Sequence, residues 1–292
     1  MGRDLYETFP IARDLYDQAV DILGFDLRRI SFEGPEEELK QTQVTQPALF
    51  VHSIALEMLA RERGLEPQAT AGHSLGEFCA VVSARALDFA DALLVVKARG
   101  EEMARAGERT PGAMAALLGA DPGQVDRICS DAASAGVIVP ANLNAPGQIV
   151  LSGDSTAIDK AVETAKKMGI RRAIKLKVSG AFHSPLMAPA RRALAAALDR
   201  ATFRDPQVPV YQNVTARAVR SAGEIKSNLL SQLEKPVLWE ATIRQMWADG
   251  FSDYREVGAG KILQGLNRRI LPDAVTAGLS SALDLNQLNV SA

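Results

Sequence analysis

Gly72-His73-Ser74-Leu75-Gly76 has the G-x-S-x-G form, set between an apolar lead-in and a helical pattern that starts near Glu77. In a nucleophile elbow the flanking glycines permit a turn too tight for side chains, and the serine hydroxyl is thrust out at a helix N-terminus. The helix dipole there favours negative charge, and the amide that follows the nucleophile, here Leu75, can donate to an oxyanion. A glycine-rich turn with an incidental serine has the same five letters, so the motif needs partners before it means chemistry.

A serine nucleophile needs a base. The chain has three histidines, His52, His73 and His183. His52 falls mid-helix, where a packing or surface role suits it. His73 is one residue from Ser74, so its side chain should point away from the hydroxyl. His183 lies in Gly180-Ala181-Phe182-His183-Ser184-Pro185, a loop between a predicted strand and a predicted helix. By elimination it is the candidate base, with a purely structural histidine as the alternative.

Arg99 is the other anomaly. Ala92, Val95, Val96 and Met103 lie on its side of a predicted helix, so a guanidinium stands within an apolar stripe. Burying it is costly unless an anion compensates, and its planar fork suits a carboxylate. The competing reading is an arginine that snorkels to water or pairs with a protein carboxylate. Joined to a serine nucleophile, a buried Arg99 would select acyl groups that end in a free carboxylate. Gly258-Ala259-Gly260-Lys261 resembles a phosphate loop, yet lacks the P-loop spacing, and Leu263 stands where a dinucleotide motif needs its third glycine. It reads as a strand-to-helix turn.

The elements that must position these groups alternate between strand and helix, which points to an α/β protein with parallel pairing. The spacing predicts a helix over 11–23, and another from Pro47, in its first turn, to about Arg63, ended by Gly64. A third runs from an Asp88 N-cap to about Ala106, stopped by Gly107. A strand over 251–257 precedes a helix from about Lys261. In the middle come a strand (113–118), a helix (124–135), two strands (137–140 and 148–152), a helix (156–168) and a strand (173–178). That β-α-β-β-α-β order is the ferredoxin-like arrangement. The expected architecture is a small ferredoxin-like subdomain, 110–179, inserted into a larger α/β-hydrolase-like core made of 1–109 and 180–292.

Composition sets outer bounds. Of 292 residues, 47% are hydrophobic and 23% charged, enough for a core and too little charge bias for disorder. Apolar runs are broken before a membrane span is reached, and no secretory signal is visible at the start. Cys79 and Cys129 lack metal-ligand spacing, so reduced thiols in a cytoplasmic protein are expected, with no metal site. A net charge of −2 argues against general nucleic-acid binding. Residues 165–198 nevertheless contain no Asp or Glu, but hold Lys166, Lys167, Arg171, Arg172, Lys175, Lys177, Arg191 and Arg192. This is either a solvated basic face or a local field that draws in an anionic partner.

Taken together, the chain resembles the malonyl-CoA:acyl carrier protein transacylases along nearly its whole length. The resemblance rests on TQPALF (45–50), GHSLGE (72–77), KARGEEM (97–103), PGAMAA (111–116), NLNAPGQIVLSG (142–153), GAFHSPLM (180–187) and EVGAGKIL (256–263), in family order. It implies a ping-pong reaction through a malonyl-Ser74 ester, with His183 managing the protons and Leu75 supplying an oxyanion amide. Arg99 would pair with the malonyl carboxylate, and Gln46, Met103, Asn142, Asn144 and Phe182 would line the pocket. The family's imidazole is oriented by a backbone carbonyl, expected here from Leu238. AFHS at 181–184 is similar to the malonyl-selective signature. The implied partners are malonyl-CoA and an acidic acyl carrier protein that docks on Lys166, Lys167, Arg171, Arg172, Lys175 and Lys177. A monomer without cofactor, metal, membrane or nucleic acid is expected.

Family members normally open with a strand and a GQGSQ loop that gives a second oxyanion donor. This sequence starts at MGRDLYE, similar to the segment just after that loop. The first core strand and one donor are therefore expected to be lacking, and an oxyanion donor is worth about 10²–10³ in rate. Three alternatives stay open: an acyltransferase that serves a polyketide synthase, a serine thioesterase or hydrolase, and a catalytically dead carrier-binding protein. Arg99 and the lack of an acidic partner for His183 speak against the hydrolase.

Overall fold

The computed structural model describes residues 1–170 and 172–288. Strand β1 (Thr70–Ala71) leads into the elbow. Strands β2 (Gly112–Leu118), β3 (Ile138–Ala145), β4 (Gln148–Asp154) and β5 (Arg172–Lys175) follow in mid-chain. Beyond them lie β6 (Val210–Gln212), β7 (Arg217–Val219), β8 (Asp253–Val257) and β9 (Val275–Leu279). The parallel pairs expected of an α/β protein are β1 with β6 and β8 with β9.

The middle strands form one antiparallel sheet in the order β3-β4-β2-β5, which is the ferredoxin-like order. Its helices, Pro122–Ala132 and Ser155–Lys167, pack Ile128, Ile158 and Ala161 against Ala115, Leu117 and Leu151 of the sheet. The first helix starts two residues before the expected 124 and ends three before 135. Asp121 and Gln124 make a reciprocal capping box, and Pro122 sits in the first turn, where no donor is lost. The larger core surrounds helices Thr42–Glu62 and Phe89–Arg109.

Two punctuation signals have meanings other than those expected. Helix Thr42–Glu62 begins before Pro47, with Gln41 as N-cap, so the proline stands in the second turn and costs one internal hydrogen bond. Helix Phe89–Arg109 runs through Gly107 rather than stopping there. A Cβ at Gly107 would stand 2.2 Å from the Ser179 carbonyl oxygen. The glycine therefore allows the chain entering the His183 loop to touch the helix that bears Arg99.

Strands β1 and β8 do not pair with each other among the described residues. Between them lies a cavity of about 570 Å³, lined in part by Ile54, Ala71, Tyr254 and Val257. Among the described residues no helix is long and apolar enough to cross a membrane. Residues 236–238 tie the core to the four-stranded sheet, since Val237 donates to Ala141 and its carbonyl accepts from Leu143, both at 2.9 Å.

Candidate active site

Ser74 follows β1 and immediately precedes helix Gly76–Ser83. Its φ of 52° is left-handed, a conformation that costs a non-glycine residue energy and is found where the surroundings hold it. The holding groups are visible. The Ser74 amide donates to Asn213 Oδ1 at 2.7 Å, and Asn213 Nδ2 donates to the Gly72 carbonyl at 2.7 Å. One side chain thus staples both sides of the turn. A Cβ at Gly72 would lie 1.9 Å from the Gly76 oxygen, so the elbow requires glycine there. The Leu75 amide makes no hydrogen bond among the described residues, which leaves it open to an oxyanion.

His183 comes from the loop after β5, 109 residues away, and its Nε2 accepts from the Ser74 hydroxyl at 2.8 Å. Its φ is also left-handed, at 57°. Nδ1 donates to the Gln232 carbonyl at 2.8 Å. That corrects the expectation of Leu238, whose carbonyl accepts from the amide and hydroxyl of Thr242 at the start of helix Trp239–Ala248. Gln232 caps the C-terminus of helix Ala222–Ser231, where carbonyls lack intrahelical donors and the dipole is negative. Burial, aided by the nearby Arg99 charge, pushes the His183 pKa down to about 3. The imidazole is neutral with its Nε2 lone pair on the serine, as a general base must be. Among the described residues no carboxylate bonds to it.

Arg99 is 2% exposed and forms no salt bridge among the described residues, so neither snorkelling nor a protein ion pair accounts for it. Nη1 donates to Gln46 Oε1 at 2.6 Å, and Nη2 donates to Gln232 Oε1 at 2.8 Å and to Ser74 Oγ at 3.1 Å. Among the described residues Nε has no partner, and the guanidinium carbon lies 5.5 Å from the Phe78 ring centroid. Burial brings Arg99 down to about 10, opposed by the charge of Glu77. A cation held by neutral amides beside the nucleophile, with a donor to spare, is a receptor for an anion.

The remaining sequence-derived residues divide by what they touch. Gln46 reaches Arg99 directly, and its Nε2 points to Met103 Sδ at 3.5 Å, so these two orient the guanidinium. Phe182 is half-buried and bridges the larger core and the sheet. Asn142 is buried on β3. Asn144 Oδ1 lies 2.8 Å from His73 Nε2, and the His73 ring tilts against Trp239 at 5.7 Å. His73 therefore faces away from Ser74, and Asn144 goes with it. His52 is buried packing.

Sequence reasoning missed Asn213, Gln232 and Glu77. A pair of amides, Gln212-Asn213, at the end of apolar β6 was the available signal for the first. Glu77 is fully buried, and its carboxylate accepts from Gln212 Nε2, the Asn213 amide and Gln232 Nε2 at 2.8, 3.2 and 2.7 Å. Burial pushes it up to about 7, while those three donors and Arg99 favour the ionised form.

At the end of helix Ser155–Lys167, along β5 and just beyond it, Lys166, Lys167, Arg172, Lys175 and Lys177 are all exposed. Lys167 pairs with Glu163 at 2.6 Å and Lys175 with Asp159 at 2.7 Å. The acid-free stretch of sequence is thus partly neutralised by acids from the preceding helix. Arg171 lies outside the described residues. Cys79 and Cys129 are free, and burial pushes their thiols up to about 12 and 11.

What this arrangement can do is take an acyl group onto a serine oxygen and give it up again, which defines a serine acyltransferase. The family model described as acyl transferase domain matches residues 1–264. The malonyl CoA-acyl carrier protein transacylase of Bacillus subtilis (strain 168) is 44% identical over 281 residues, covering 94% of this chain and 89% of that protein. An acyl carrier protein S-malonyltransferase from Vibrio cholerae superposes with a TM-score of 0.94 at 38% identity, over 99% of this chain and 95% of that one. A malonyl-transacylase solved with its type II polyketide acyl carrier protein gives 0.94 at 37%, over 98% and 93%. The chain belongs to the malonyl CoA-acyl carrier protein transacylase family.

Proposed function

We propose that this chain moves malonyl from malonyl-CoA to the phosphopantetheine thiol of an acyl carrier protein, for fatty acid chain elongation. The observation that carries the reading is Arg99, buried with no salt bridge among the described residues and 3.1 Å from the Ser74 hydroxyl oxygen. An acyl group ending in a carboxylate supplies the missing anion while its carbonyl meets Ser74.

In the first half-reaction His183 Nε2 takes the Ser74 proton as Oγ attacks the thioester carbonyl. The carbonyl oxygen becomes anionic against the Leu75 amide. The C–S bond then breaks, and coenzyme A leaves with the proton from His183. In the second half-reaction the carrier thiol gives its proton to His183 and attacks the malonyl-Ser74 ester. The C–O bond breaks, and Ser74 recovers the proton. Throughout, the Gln232 carbonyl stabilises the imidazolium that forms transiently.

The carrier is read as an acidic protein that docks on the basic edge at 166–177, and the chain as a cytoplasmic monomer with core 1–109 and 180–292 and small subdomain 110–179. The test is intact-protein mass spectrometry after brief exposure to malonyl-CoA, without carrier protein. A single malonyl adduct that is absent from Ser74→Ala is expected. An adduct that survives that substitution would overturn the assignment of the nucleophile.

A further inference from the structure

Gln232 touches three of the residues that the proposed reaction uses. Its backbone carbonyl holds His183, its Oε1 accepts from Arg99, and its Nε2 donates to the Ser74 carbonyl at 2.9 Å. The same Nε2 donates to Oε2 of Glu77 at 2.7 Å. Glu77 lies three residues after the nucleophile, is wholly buried, and has no salt bridge among the described residues.

A carboxamide can face either way, because one end donates and the other accepts. Here an anion stands at one end and a cation at the other, so a single orientation is favoured. The NH₂ faces Glu77 and the oxygen faces Arg99. The reverse would set oxygen against carboxylate and NH₂ against guanidinium, with like poles in a buried site where such errors are costly. Gln212 extends the same order outward: its Nε2 faces Glu77 and its Oε1 accepts from Asn228 Nδ2 at 2.8 Å.

We propose that Glu77 is a positioning residue that fixes the orientation of the Gln232 amide, and through it holds Arg99 in place for the carboxylate of the incoming acyl group. This rests on the malonyl reading above. Glu77 bonds to neither the Ser74 hydroxyl nor His183; it also accepts from Gln212 and the Asn213 backbone amide, and the role proposed here runs through its contact with Gln232. Its effect falls on selection of the acyl group more than on the Ser74–His183 dyad, which the Gln232 backbone carbonyl serves regardless of side chain.

The test compares Ser74 loading from malonyl-CoA and acetyl-CoA at pH 8 for wild type, Glu77→Gln, Gln232→Met and the double variant. Gln232→Met removes the amide and keeps the backbone carbonyl. Each single variant is expected to lose malonyl loading about tenfold, the scale of one hydrogen bond to a charged group, with acetyl loading changed much less. The double variant should be no worse than the poorer single, because both remove one relay. Equal losses for both acyl groups, or losses that multiply in the double variant, would overturn the proposal while the malonyl reading stands. Should Glu77→Gln fail to fold, Glu77→Asp carries the same readout, with a shortened carboxylate. An unchanged malonyl preference in Glu77→Asp would overturn the proposal too. A wild type that takes acetyl but not malonyl would instead sink the malonyl reading, and this inference with it.

Discussion

At the elbow Arg99 is buried among amides with no carboxylate bonded to it among the described residues, whereas along 166–177 five described cations face solvent and two already have acidic partners. The sequence makes the second region look the more electrostatic of the two. Physics reverses that ranking. Exposed charges interact through water and are screened within about 10 Å at ordinary salt. A desolvated guanidinium keeps nearly its whole field for whatever anion reaches it. Burial decides what a charge is worth, and counting residues does not.

Arg99→Ala probes the buried side and should have the largest effect, lowering malonyl loading of Ser74 by about 10²-fold and acetyl loading far less. Equal losses for the two would remove Arg99 from carboxylate recognition and collapse the contrast between the regions.

The second effect concerns stability and sharpens the comparison, because burial is the main cause of the shift at His183. His183 titrates at about 3 when folded, against an ordinary 6.5. As pH falls through 6.5 the unfolded chain binds this proton and the folded chain does not, so stability drops from 6.5 downward. Between pH 6.5 and 5 the loss from this one group is about 2 kcal/mol. In His183→Gln that component is gone, so its urea midpoint should fall less than that of wild type between pH 7 and pH 5. Parallel falls would mean that the imidazole is not desolvated.

The smallest effect belongs to the basic edge. Arg172→Glu with Lys177→Glu should raise the KM for carrier protein several-fold, most strongly at low salt, while that for malonyl-CoA stays put. Carrier kinetics that ignore both reversals would strip this edge of its docking role.

How much of this was legible in the sequence follows from where the information sits. The four-stranded sheet was readable almost strand by strand, because strand and helix patterns and short connections are local signals. Gly107 and Pro47 were misread as punctuation. What justifies the glycine is a carbonyl more than 70 residues on, at Ser179, which no window around it contains. Ser74, His183 and Arg99 were found from residue type, since each is chemically conspicuous where it stands. The carbonyl behind His183 was not, because every residue has one. Leu238 was expected there, but its carbonyl is occupied by Thr242, while Gln232 ends a helix with a carbonyl to spare. Glu77 and Asn213 were overlooked for a related reason. Their polarity is ordinary, and only burial against the elbow makes it count.

A base backed by a carbonyl rather than a carboxylate has a further consequence for which acceptor it can serve. Such an imidazole is a feeble proton acceptor, and Ser74 is helped by a guanidinium that donates to its oxygen. In the proposed reaction the carboxylate of the ester then occupies Arg99, so the next nucleophile gets no such help and must bring its own acidity. A thiol ionises near 8.5 and water near 15.7. A weak base of this kind thus favours a thiol over water as the second nucleophile, since the thiol gives up its proton far more readily.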